Sequence, residues 1–337
     1  MSEKRVIRWG IIGCGNVTEV KSGPGFQKAA GSALVAVMRR DAGLARDYAA
    51  RHNVPKWTSD AQALVNNPDV DAVYIATPPS SHREYALLAA GAGKPVYVEK
   101  PMAKNHAECL DMIAACRAAG TRLFVAYYRR AQERFMKVKS LVDAGAIGAV
   151  RFVSVTLYQA VQPDELDPAR LPWRVIPEIA GGGRFVDLAS HQLDLLDFIL
   201  GPIRSARGFA ANQAGLYRAE DIVIASFVFE SGAHGTGAWC FTAFDETDRI
   251  EIVGSRGKIK FSTFGVEPVQ LTDASGTHEY AIPYPQHVQQ PLIQTIVDEL
   301  LGIGRCPSRG ESAARTSWVM DQIREESHGP SRTDEPL

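Results

Sequence analysis

One run near the start of this 337-residue chain constrains its fold more than any other: Val6-Ile7-Arg8-Trp9-Gly10-Ile11-Ile12-Gly13-Cys14-Gly15-Asn16-Val17. It reads as a short apolar strand, a tight glycine turn and then a helix. That order brings backbone N–H groups and a helix N-terminus up to a pyrophosphate, as in the opening of a dinucleotide-binding fold. A G-x-G pair alone is weak, because glycine turns are common; its position directly after an apolar strand strengthens it. Gly13, Gly15, Asn16 and Val17 are therefore candidate cofactor contacts. Thr18 replaces the third glycine of the usual fingerprint, which predicts slightly looser packing of helix on strand with the phosphate cradle intact.

A chain of 337 residues exceeds what one core usually supports, so two domains are expected. A formal net charge of -1 gives no electrostatic reason to expect nucleic acid or a membrane surface as partner. Cys14, Cys109, Cys116, Cys240 and Cys306 form no C-x-x-C pair and read as reduced, mostly buried thiols of a cytoplasmic protein. The basic start is followed by an apolar stretch too short and glycine-broken for a signal peptide. No run approaches the roughly 18 apolar residues of a membrane span.

Up to about residue 126 strands and helices alternate. Strands are expected at 6–12, 33–38, 72–76, 95–99 and 123–126, with helices such as 83–92 and 106–119 between them. Single helices between strands imply right-handed crossovers and a parallel, doubly wound sheet whose ligand sits beyond the strands' carboxyl ends. From about residue 150 the rhythm changes to neighbouring strands at 150–158, 203–211, 222–229, 233–241, 249–253, 258–261 and 269–272. These predict a largely antiparallel sheet in an α+β domain, with one strong helix at 185–199. Helices at 291–301 and, shorter, at 311–323 close the chain. The expected division is a dinucleotide domain at 1–126, a substrate and oligomerisation domain at 127–324, and a polar, flexible tail at 325–337.

The chemistry-bearing residues fall at the expected strand ends. After the second strand, Met38-Arg39-Arg40-Asp41 offers two cations where NAD-specific sites carry an acidic residue. Guanidinium groups pair bidentately with phosphate, so Arg39 and Arg40 favour NADP(H), with NAD(H) still possible. The alternative is a solvated strand exit with Asp41 capping the next helix. Ala76-Thr77-Pro78-Pro79-Ser80-Ser81-His82 stops the next strand at the crevice. Thr77, Pro78 and His82 are thus candidate cofactor contacts, and His82 is as readily a packed histidine. Val98-Glu99-Lys100-Pro101 places an adjacent acid and base at a strand end. Beside a nicotinamide ring Lys100 can bond to a substrate hydroxyl and help move its proton, with Glu99 beside the cofactor; a surface salt bridge is the plain alternative.

The partner motif lies in the second domain: Gly181-Gly182-Gly183-Arg184-Phe185-Val186-Asp187-Leu188-Ala189-Ser190-His191-Gln192-Leu193-Asp194. Three glycines allow close backbone approach to a ligand before the helix. Asp187, His191 and Asp194 are spaced to share one helix face. Oxidation of a carbinol removes its hydroxyl proton, and histidine titrates near neutrality. Asp187 can hold the imidazole or bind substrate hydroxyls. A divalent metal is the rival reading; no further His or Cys cluster completes it, so no metal is expected.

Gly13-x-Gly15, Glu99-Lys100-Pro101 and the triple glycine with Asp187-x-x-x-His191 occur in the order seen in the glucose–fructose oxidoreductase / inositol 2-dehydrogenase / MocA family, which this chain resembles over nearly its whole length. The resemblance implies a Rossmann domain followed by an open-faced sheet domain that often mediates oligomers, here a homodimer or homotetramer. It implies reversible hydride transfer between nicotinamide and a sugar, anhydrosugar, polyol or related carbinol. Carried over by motif, Lys100 and His191 are the proton-handling pair and Asp187 the substrate-binding or orienting partner. Trp173-Arg174 resembles a family pair that reaches cofactor or substrate, and Arg129, in Tyr127-Tyr128-Arg129-Arg130, falls where the family places residues near the nicotinamide. Thr18 and the paired arginines depart from the commonest NAD pattern. The expected activity is thus an NAD(P)-dependent dehydrogenase or reductase. Its rivals are an NAD-dependent glycosidase of the same family and a non-catalytic dinucleotide sensor.

Overall fold

The computed structural model describes residues 5–325. The chain divides into two compact units that are discontinuous in sequence, where one cut near residue 126 was expected. One comprises residues 5–140 with Glu178–Gly181 and Ala281–Ser317; the other comprises Leu141–Pro177, Gly182–Tyr280 and 318–325.

In the first unit β1 (Ile7–Ile12), β2 (Ser32–Met38), β3 (Lys56–Thr58), β4 (Ala72–Ile75), β5 (Val96–Val98) and β6 (Leu123–Val125) form one sheet in the order β3-β2-β1-β4-β5-β6. Every pair is parallel. Such a sheet is covered on both faces, which is why its strands read as continuous apolar runs. Ile12, Val73, Ile75, Val96 and Val98 enter one core, while Trp9, Ile11, Tyr74 and Tyr97 enter the other. The second core is aromatic: Phe26 lies 4.8 Å from Trp9 and 5.1 Å from Tyr74, which stacks on Tyr97 at 4.8 Å. Helix Gln290–Leu300 adds Leu292, Ile293, Ile296 and Val297 to it, so this late segment belongs with the first unit.

In the second unit β7 (Val150–Tyr158), β8 (Ile203–Ala211), β9 (Ile222–Phe229), β10 (His234–Cys240), β11 (Thr247–Gly254), β12 (Gly257–Phe261), β13 (Val269–Asp273) and β14 (Gly276–Tyr280) form a sheet in the order β14-β13-β12-β11-β7-β10-β9-β8. Only β7 and β10 run parallel; the remaining pairs are antiparallel. Val153, Val155, Leu157, Val223, Phe227 and Trp239 point to the buried face, and Phe152, Phe209 and Ile224 alternate onto the open one. Helix Ser190–Leu200 is buried along most of its length.

Three local expectations change. The glycine turn leads into two short helices, Asn16–Val20 and Gly23–Lys28, because Ser22-Gly23-Pro24 interrupts and restarts the backbone. The helix expected at 185–199 opens as a π turn, Phe185–Ala189, before the α-helix Ser190–Leu200. The last helix is long, Gly310–Glu325, so Glu325 is helical; residues 326–337 of the expected tail lie outside the described residues. Among the described residues no helix is long and apolar enough to cross a membrane.

Candidate active site

The turn after β1 is built by its own atoms. Gly13 has φ +92, and a Cβ there would lie 2.7 Å from Thr77 Cγ2 and 3.0 Å from the Ala76 carbonyl carbon. Only glycine takes that conformation so close to the end of β4. The Gly15 N–H donates to Gly13 O at 2.8 Å. A Cβ on Gly15, by contrast, would meet nothing nearer than Gly13 O at 3.9 Å. Open space over the glycine at the turn-to-helix junction of a strand–turn–helix unit fits a pyrophosphate pressed against the backbone, as a dinucleotide requires.

Neighbouring elements hold this turn from behind. Thr18 is fully buried, and its hydroxyl donates to Gly15 O at 2.7 Å. Tyr48 Oη donates to Thr18 O at 2.9 Å. The looser packing expected from Thr18 is therefore absent there: its hydroxyl closes the turn, and the close approach moves to Gly23, where a Cβ would fall 2.5 Å from Tyr48 Oη. At the end of β2, Arg39 Nη1 donates to the Cys14 carbonyl at 3.2 Å, which sets a guanidinium on the glycine turn. Asp41 caps helix Ala42–Arg51 by accepting from Leu44 N at 3.0 Å, and Arg40 is exposed.

Three of the expected cofactor contacts, His82, Glu99 and Arg129, are buried among protein atoms. His82 is fully buried, with Nε2 2.7 Å from Thr77 O and Nδ1 3.1 Å from Pro101 O. It clasps the loop after β4 to the loop after β5, and burial lowers its pKa. Glu99 turns into the aromatic core: Oε1 accepts from Tyr74 Oη at 2.5 Å and Gln289 Nε2 at 2.6 Å, and Oε2 accepts from the Lys100 N–H at 3.1 Å. The carboxylate thus fixes the backbone from which Lys100 projects. Arg129 is buried too, its guanidinium 4.9 Å from the Tyr128 ring centroid, an anchor of its segment. Thr77 sits against Gly13 and accepts a hydrogen bond from Ser81 Oγ at 2.8 Å, and Pro78 starts the short turn that follows.

In the second unit the π turn carries Asp187. A π turn has more residues per turn than an α-helix, so the one-face spacing argument does not transfer from Asp187 to His191; such turns recur at functional sites. Asp187 Oδ2 lies 3.4 Å from Arg174 Nε, and Arg174 stacks 4.6 Å from the Trp173 ring centroid. The expected Trp-Arg pair and the expected aspartate therefore meet. His191 is 4% exposed, and Phe264 stands edge-on to it at 5.9 Å.

A supporting chain behind His191 escaped the sequence reading. Trp239 Nε1 donates to Gln192 Oε1 at 2.7 Å, and Gln192 Nε2 donates to Asp248 Oδ1 at 3.3 Å. Asp248 Oδ2 in turn accepts the Phe264 N–H at 2.5 Å. The only local signal is that Gln192 follows His191 on a helix that also buries Ser190, Asp194 and Asp197. At each of the three glycines the space a Cβ would take is filled by protein atoms. A Cβ on Gly181 would strike Lys104 O at 2.5 Å, one on Gly182 would strike Val186 Cγ2 at 2.5 Å, and one on Gly183 would strike Ala219 Cβ at 2.7 Å.

Comparison with known proteins places this geometry. Residues 7–127 match the oxidoreductase family's NAD-binding Rossmann fold, and residues 135–260 match the GFO/IDH/MocA C-terminal domain. Oxidoreductase P35 of Formosa agariphila is 40% identical over 315 residues, 94% of this chain and 97% of its own. The chain belongs to the GFO/IDH/MocA family of oxidoreductases. Myo-inositol 2-dehydrogenase of Thermotoga maritima is 29% identical and is covered over 79% of its length by 80% of this GFO/IDH/MocA chain. The crystal structure of aldose-aldose oxidoreductase from Caulobacter crescentus superposes with a TM-score of 0.85 at 25% identity, over 96% of this chain and 98% of that one. This GFO/IDH/MocA member is thus an NAD-binding oxidoreductase with a Rossmann domain and a mostly antiparallel second sheet.

Proposed function

We propose that this oxidoreductase prefers NADP(H) and moves a hydride between it and a secondary alcohol or ketone of a sugar, anhydrosugar or polyol. The observation that carries the cofactor preference is Arg39 on the Cys14 carbonyl, beside a β2 end whose Asp41 is committed to a helix cap. Arg39 and Arg40 would hold a 2′-phosphate, while Gly13, Gly15, Asn16, Val17, Thr77 and Pro78 would line the pyrophosphate path. Relatives named for a cyclic polyol and for aldoses support the substrate class.

Bound dinucleotide supplies a hydride donor or acceptor. The chain's own residues do the rest. His191 takes the carbinol proton in oxidation and returns it in reduction. Lys100, its backbone fixed by Glu99, hydrogen-bonds the reacting oxygen. Asp187 binds neighbouring hydroxyls from an orientation set by Arg174, and Trp173 supports that guanidinium. Phe152, Phe209 and Ile224 on the open face of the second sheet favour a homodimer or homotetramer.

Fluorescence titration with NADPH and NADH tests the cofactor half. NADPH is expected to bind at least about tenfold tighter, and Arg39→Ala to erase the difference, as loss of charge-assisted hydrogen bonds requires. Equal affinities, or tighter NADH, would sink it. A panel of polyols, sugars and their ketones, followed by cofactor absorbance, tests the substrate half; turnover confined to other alcohols would overturn it.

A further inference from the structure

At the end of the parallel sheet opposite the glycine turn, just ahead of β6, lies a cavity of about 180 Å³ lined by Arg117, Thr121, Arg122, Glu299, Arg309 and Glu311, among other residues. One water needs about 10–15 Å³ of such room, so the space takes a ligand of several heavy atoms. Three guanidinium groups and two carboxylates border it. Glu299 is 5% exposed and already engaged: Oε1 lies 2.7 Å from Arg309 Nη2 and 3.5 Å from Arg122 Nε, and Oε2 accepts the Cys306 N–H at 2.7 Å. Arg122 Nη1 donates to the Glu299 carbonyl at 3.2 Å. Glu311 meets Arg117 only at 3.9 Å, with both side chains largely in solvent.

Donors therefore outnumber acceptors around this space, since each guanidinium carries five N–H groups. Arg309 Nε is moreover buried without a hydrogen-bond partner. Helix Gly310–Glu325 also begins here, and its first turn adds partial positive charge. Three guanidinium groups around one space suit a tetrahedral dianion with several acceptor oxygens. We propose that this cavity binds a small phosphate dianion, free or as a phosphomonoester, at a site separate from the dinucleotide cradle.

The test must separate two arginine sites on one unit. Inorganic phosphate is titrated into the full chain at constant ionic strength and followed by ³¹P NMR line broadening. Saturable binding is expected in the wild type and in Arg39→Ala, and at least about tenfold weaker binding in the Arg117→Leu/Arg122→Leu double variant, whose NADPH affinity stays unchanged. Phosphate binding lost in Arg39→Ala but kept in the double variant would assign the anion to the cradle and overturn the proposal, as would no saturable binding in the wild type. Malonate binding as tightly as phosphate would overturn the choice of a phosphate dianion. If the double variant unfolds, Arg117→Leu alone decides: its side chain is 76% exposed, and a drop in phosphate affinity of at least about threefold is expected.

Discussion

A Cβ added to Gly15 would find open space, its nearest neighbour 3.9 Å away, whereas one added to Gly181 would lie 2.5 Å from Lys104 O and 2.6 Å from Lys104 Cα. Both glycines belong to runs that look alike in sequence, and both runs precede a helix. In the first, Gly13 packs on Thr77 while Gly15 keeps the backbone bare toward whatever binds outside. In the second, glycine lets the chain lie against itself, and the chemistry is left to side chains further on, Asp187 and His191. A glycine run thus points to a ligand only when the space it leaves is not filled by the protein.

The largest effect expected from that contrast is catalytic. His191→Ala should lower kcat by about 10²- to 10⁴-fold, the range for a positioned acid–base group, with NADPH affinity unchanged. Lys100→Ala should fall in the same range. Steady-state rates beside cofactor titrations check both; near-native turnover in either variant removes that residue from the proton path. An unreactive His191→Ala that still binds NADPH also excludes the non-catalytic sensor as the wild-type role.

Next come the glycines themselves. Gly181→Ala puts a side chain at φ +84 against backbone atoms, a conformation that costs about 1–3 kcal/mol before any clash. Its Tm should fall by at least about 4 °C, given roughly 2–4 °C per kcal/mol in domains of this size. Gly15→Ala should leave Tm within about 1 °C of wild type and weaken NADPH by about tenfold or more. The reverse pattern, a destabilised Gly15→Ala with intact cofactor binding, would break the contrast.

The sequence carried much of this, for identifiable reasons. Buried strands announce themselves by apolar runs and half-buried ones by alternation, so the parallel and antiparallel halves were legible. Lys56–Thr58 and Gly276–Tyr280 were missed because they are short, polar edge strands. Phe-Val-Asp-Leu-Ala at 185–189 looks the same whether the turn closes as α or π. Glu99 follows its strand directly, as the sequence predicts, whereas His82 opens the helix His82–Gly91, and both side chains turn inward. Gln289, the partner that draws Glu99 into the core, lies 190 positions away and leaves no local trace. Arg174 on Asp187 had no spacing signal at all; only the family resemblance singled out Trp173-Arg174.

A smaller effect probes what stiffens the first turn. Tyr48→Phe removes the donor to Thr18 O, a net loss of about 0.5–1.5 kcal/mol, more if the buried carbonyl stays unmet. Thr18 is itself bonded to Gly15 O, so the loss should appear as weaker NADPH binding of up to about tenfold as well as a lower Tm. A stability change with no affinity change would show that Tyr48 supports the fold and not the cradle.

The smallest expected effect lies on the outer side of the same helix. Glu19 accepts from Arg51 at 2.8 and 2.9 Å and lies 2.7 Å from His52, whose ring stacks on Tyr48 at 4.1 Å. Chiefly through the Arg51 bonds, its pKa drops from 4.5 to about 2. A carboxylate lowered in the folded state stabilises above its unfolded pKa and loses that contribution as pH falls through the folded one. Wild type should therefore exceed Glu19→Gln in Tm at pH 7, with the gap narrowing below about pH 4.5 and closing near pH 2. Because the carboxylate is one-third exposed, water screens the pair and the gap stays small. Here the contrast between the two glycine regions sharpens: the π turn after the second run carries an ion pair of its own, Asp187 with Arg174, so the same pH scan applied to Gly181→Ala should show a Tm deficit that does not titrate with Glu19.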